Sequence, residues 1–152
     1  MLWGALSTLL VGCVTLPPTI PTVVPTPPPP AFVTEDAASV LPRLIAAERQ
    51  ASIDKDLALL AQLWTEASRI VDGRGTAATE DDYIWAGRAA ILDRYRVAVF
   101  VNPPPPLAVP DDLNMQIDGA TASARLGQDQ WRFVRERGRW WLAELRYSQP
   151  GQ

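Results

Sequence analysis

Proline, more than any other residue, limits what this chain can fold into. Eight of the seventeen residues from Val14 to Pro30 are proline. With so many missing N–H donors and fixed φ angles, that stretch supports neither a helix nor a β-ladder, and it holds its neighbours extended. A polyproline II tether is the expectation, rising about 3.1 Å per residue and reaching roughly 50 Å in all. A second block, NPPPPLAVPDD at Asn102 to Asp112, is too short to separate domains but must end any helix that enters it. The folding unit is therefore expected within residues 34–148, which is room for one domain with one core.

Ahead of the tether, Met1 to Leu16 carry no charge. Sixteen such residues are few for a span, which needs about 20, and about right for the apolar region of an export signal, although no positive residue precedes it. LVGC at Leu10 to Cys13 resembles the lipobox of bacterial lipoproteins. That resemblance implies a signal peptide over residues 1–12, then a lipidated cysteine and linker over residues 13–33. Cys13 would carry the lipid, the partner would be a membrane, and the domain would work on the extracytoplasmic face of a bacterial cell envelope. A buried, inert cysteine is the alternative for Cys13, and a docking site for a proline-recognising module the alternative for the tether.

Composition narrows the chemistry. The net charge is −3 with no polybasic run, so no nucleic-acid partner is expected. The chain has no histidine and one cysteine, which removes histidine-based triads, tetrahedral zinc sites and intrachain disulfides. No metal or cofactor is expected. Carboxylates, tyrosines, arginines and tryptophans are left to do any work. The consecutive Glu80, Asp81 and Asp82 lack the pattern of a cation loop and read as a turn or cap.

The first half of the domain reads as helical. Thr34 to Ser52 places Leu41, Leu44 and Ile45 on one stripe, with Pro42 implying a start near Ser39 or a kink. Asp54 is placed to cap a second helix, whose stripe is Leu57, Leu60, Ala61 and Trp64. A third runs from Gly87 to Phe100, and the DGRG turn between the two suggests a strand and hairpin or irregular arm. From Leu113 the period becomes two: Leu113, Met115 and Ile117, then Ala122, Ala124 and Leu126, then Trp131 and Phe133. In the last strand, strict alternation sets Trp140, Leu142 and Glu144 against Trp141, Ala143, Leu145 and Tyr147. Helices followed by an antiparallel sheet make an α+β layout.

Three stretches, DLALLAQLWTEASRIVDG at Asp56 to Gly73, WAGRAAILDRY at Trp85 to Tyr95 and WRFVRERGRWWLAELRY at Trp131 to Tyr147, resemble the nuclear transport factor 2-like superfamily. Ketosteroid isomerases and SnoaL-like cyclases share that fold. Gly87, Ala90, Ile91 and Tyr95 match its G-x-x-A-I-x-x-x-Y pattern. The resemblance implies three N-terminal helices packed on a strongly bent antiparallel sheet, a cone whose wide end holds a cavity, here with a sheet shortened near the second proline block. It also implies that Trp64, Asp72, Tyr83, Trp85, Tyr95, Trp131 and Trp141 line or rim that cavity. The tryptophans would otherwise simply fill the core.

The family's catalytic patterns are poorly met. No histidine exists, and no tyrosine precedes Tyr83, so the first helix lacks the donor that the isomerases place there. The main expectation is a membrane-anchored domain that binds a small apolar ligand or a protein without catalysis. The alternatives are a small isomerase, cyclase or dehydratase with Asp72 as base, and a structural module that forms homodimers through its sheet face.

Overall fold

The computed structural model describes residues 36–76, 78–110 and 112–147. Cys13, the proline-rich tether and the boundaries drawn around them lie outside the described residues. Helix α1 spans Ala37–Asp54 and α2 Leu57–Leu63. α1 starts two residues ahead of the expected Ser39, because the N–H groups of Ser39 and Val40 bond to the Asp36 carbonyl and set the first turn upstream of Pro42. Lys55 then turns left-handed, with φ 59°, and the Asp56 N–H closes back on the Ala51 carbonyl at 2.8 Å. That break moves the cap of α2 from the expected Asp54 to Asp56, whose carboxylate accepts the Leu59 N–H at 2.9 Å.

Strand β1, Trp64–Asp72, follows α2 without a loop. Trp64 therefore opens a strand and does not belong to the helical stripe. β2 is Tyr83–Ala86, α3 is Arg88–Arg94, and a π-helical turn continues over Tyr95–Val99. The remaining strands are β3 Met115–Asp118, β4 Thr121–Leu126, β5 Asp129–Glu136 and β6 Arg139–Tyr147.

The six strands lie in the order β2-β1-β6-β5-β4-β3, and β1 runs parallel to β6. The expected strongly bent, wholly antiparallel cone is thus not what forms. The sheet is mixed and open, ending at two unjoined edges, β2 and β3, and it is not strongly curled. Nor do all three helices precede it, since α3 follows the β1–β2 hairpin. The reason is topological: the first and last strands meet at the centre with the same direction, a pairing between residues about seventy-five apart that no local period reveals.

A bulge corrects the reading of β6. Phe133 pairs with Leu142 but Arg132 pairs with Glu144, leaving Ala143 as an extra residue. The insertion shifts the phase of the strand, so Trp140, Leu142 and Leu145 all turn inward and are buried. They join Ile70, Ala122, Ala124, Trp131 and Phe133 from the sheet, with Leu41, Leu44, Ile45, Leu60 and Ile91 from the helices, in one core.

Candidate functional site

The site begins with an anomaly in α1. On the stripe that carries Leu41, Leu44 and Ile45, the next inward position is Glu48, only 5 % exposed, and one turn further is Ser52, fully buried. A buried carboxyl group requires partners. The Ser52 hydroxyl donates to the Glu48 main-chain carbonyl at 2.8 Å and lies 3.1 Å from Oε1, while the Tyr95 hydroxyl donates to the same Oε1. Burial pushes the Glu48 carboxyl above its ordinary value, with Tyr95, Arg49, Ser52 and Arg94 pulling the other way. The Tyr95 hydroxyl is held well above the ordinary tyrosine value, first by burial and then by Glu48. The pair therefore keeps its protons to higher pH than free side chains would.

Above this pair opens a cleft of about 760 Å³, within the range that small-molecule sites occupy. Arg94, Tyr95, Ala98 and Val99 form one wall. Their spacing, i, i+1, i+4 and i+5, puts them on one helix face, which ends in a π turn where the Phe100 N–H reaches the Tyr95 carbonyl at 2.8 Å. The ends of β1 and β6 bring Asp72 and Tyr147 side by side. Arg94 lies over the rings of both Trp85 and Tyr147, 4.9 Å from each centroid. Burial raises the Tyr147 hydroxyl, which Arg94 opposes and Asp72 reinforces. On the far side Arg49 stands 3.8 Å from Asp129 and donates to the Pro105 carbonyl at 3.2 Å. Burial raises the Asp129 carboxyl.

Of the residues named from the sequence, Asp72, Trp85 and Tyr95 come together in this cleft. Asp72 is committed in part to its turn, accepting the Arg74 N–H at 2.8 Å. Trp64 and Trp131 are fully buried core residues. Tyr83 is 61 % exposed on edge strand β2, stacked against Trp85 at 5.9 Å. Trp141, between buried Trp140 and Leu142, lies on the outer face, where Arg139 is 4.1 Å over its ring. Asp82 is engaged by Arg146 through two hydrogen bonds of 2.6 and 2.9 Å. Among the described residues no group of three or more acidic, histidine or cysteine side chains is placed to hold a metal ion.

Sequence reasoning missed Glu48, Ser52, Arg94 and Tyr147. Glu48 had a signal: a carboxylate at an apolar position of an otherwise regular stripe. Arg94 and Tyr147 had none, since only the tertiary fold brings them to one place.

This arrangement of helices and sheet recurs in solved structures. An NTF2-like protein of unknown function from Pseudomonas putida superposes with a TM-score of 0.56 at 18 % identity, over 78 % of this chain and 89 % of that one. The fold is that of the NTF2-like proteins. A Salmonella enterica member of the NTF2-like superfamily gives a TM-score of 0.54 at 15 % identity, covering 76 % of this chain and 92 % of its own. A candidate dehydratase of the NTF2-like family from Streptomyces avermitilis gives 0.50 at 16 %, covering 72 % and 94 %. No protein-family profile matches the sequence, and no curated protein matches it. The NTF2-like fold accommodates this cleft between helices and sheet without prescribing what occupies it.

Proposed function

We propose that the cleft binds a small organic molecule and that Glu48 exchanges a proton with it, an acid–base role of the kind an isomerase or dehydratase needs. The observation that carries this is the buried Tyr95–Glu48–Ser52 cluster at the cleft. Burial brings a carboxyl group closer to the pH at which it both takes and gives a proton efficiently. Tyr95 and Ser52 fix one oxygen of that carboxyl, leaving the other for the ligand. The Tyr147 hydroxyl, kept protonated beside Asp72, lines the same cleft. The likeness in fold to a protein described as a candidate dehydratase is in keeping with this chemistry.

The test is deuterium exchange at carbon next to the carbonyl in small ketones and keto acids, followed by NMR. The native protein is expected to accelerate exchange for a subset of them, and Glu48→Gln to lower that acceleration by about 10²–10⁴-fold. Exchange no faster than in buffer across the set would overturn the proposal.

We infer further, from LVGC and the proline-rich stretch after it, that the domain is held at a bacterial envelope by a lipid on Cys13. An intact mass for membrane-recovered protein that begins at an unmodified Met1 would count against this.

A further inference from the structure

We propose that the cleft selects ligands bearing a carboxylate, and that Arg94 is the residue that receives it. This deepens the proposal above in that it concerns the same cleft, but it concerns binding alone and stands or falls separately from proton transfer.

Arg94 ends α3 and lines the cleft. Its guanidinium is positioned by aromatic faces, those of Trp85 and Tyr147 at 4.9 Å and that of Tyr95 at 5.7 Å. Arg94 also donates a hydrogen bond to the Tyr147 hydroxyl; the aromatic faces leave open its other in-plane N–H donors, the groups that meet a carboxylate two at a time. Among the described residues no carboxylate forms an ion pair with Arg94 within 4.0 Å, whereas Arg49, Arg69, Arg88 and Arg146 each have one.

The other charges in the cleft bear on this. Arg49 answers Asp129. Asp72 is the anion nearest the Tyr147 end, and its Oδ1 is turned to the Arg74 N–H. Glu48 is biased toward its neutral form by burial, so it repels an entering anion less than an exposed glutamate would. A planar unsaturated acid suits the remaining wall, because Trp85 and Val99 offer apolar contact beside the cation.

The probe is trans-cinnamate compared with its uncharged isostere cinnamamide, each titrated to about 10 mM against the full chain by NMR. Cinnamate is expected to perturb the Trp85 indole and to bind at least about tenfold more tightly than the amide, a preference worth about 1.4 kcal/mol. Arg94→Gln is expected to erase that preference and Arg94→Lys to keep part of it, because a lysine retains the charge without the fork. Equal binding of acid and amide by the native protein, or binding of neither, overturns the inference without any variant having to fold. Absence of exchange by the native protein with its cinnamate preference intact would leave this inference standing and tell only against proton transfer.

Discussion

Glu48 is the residue on which both the stability and the chemistry of the cleft turn. Its folded-state proton affinity is raised above the ordinary value of 4.5, chiefly by burial. The folded state therefore binds the proton more tightly than the unfolded chain does. The resulting stability is complete below the ordinary carboxyl range and is lost as pH rises through the raised folded value. Asp129, raised by burial as well, contributes a slope of the same sign. Urea unfolding as a function of pH should show stability falling above about pH 4.5, with a shallower fall in Glu48→Gln; superimposable slopes for the two proteins would contradict the assignment. Glu48→Ala is expected to cost about 1–3 kcal/mol more than Glu48→Gln, because it strands the buried hydroxyl of Tyr95. Part of this was legible in the sequence. A carboxylate on an apolar stripe is visible from spacing, but the Tyr95 that answers it is forty-seven positions away.

At the level of elements, periodicity located most helices and strands and missed the places where one side chain or one extra residue changes the rule. The bulge in β6 is such a place: strict alternation set Leu145 on the face opposite Trp140 and Leu142, and the added Ala143 brings it onto their buried face. β1 has a second irregularity between Trp64 and Arg69. It is held by Ser68, whose buried hydroxyl donates to the Leu142 carbonyl at 2.6 Å and accepts the Thr65 N–H at 2.9 Å. Ser68→Ala should lower stability by about 1–3 kcal/mol in a denaturant titration, since it leaves main-chain groups unsatisfied. Gly87, which begins α3, is legible as a required glycine for a different reason. Its φ of 88° and ψ of 150° belong to a region almost closed to other residues. A methyl group there would meet the Glu66 carbonyl oxygen at an ordinary 3.5 Å, so backbone conformation and not crowding sets the penalty. Gly87→Ala is expected to cost about 1–3 kcal/mol, and a variant as stable as the native protein would remove that explanation.

Across the whole molecule, the feature hidden from the sequence is the meeting of β1 with β6. Local patterns carry no record of a parallel register set across the domain, and the resemblance to a wholly antiparallel cone pointed the other way. Arg69 and Glu144 mark that register with an ion pair at 2.5 Å, yet neither residue is unusual in its own segment. The topology has a mechanical consequence. Because the last strand lies between β1 and β5 and packs against α1, the two halves of the sheet have no direct pairing without it. The core they share, with Trp64, Trp131 and Trp140 drawn from three strands, should therefore form and dissolve as one unit. Leu142, fully buried and paired to both neighbours of β6, is the position at which to test this. Leu142→Ala is expected to lose about 2–5 kcal/mol. Tryptophan fluorescence and far-UV circular dichroism should shift together to the same lower urea midpoint. If the fluorescence transition moved while the circular dichroism transition stayed, the sheet would comprise two separately stable halves, and β6 would not be the element that joins them.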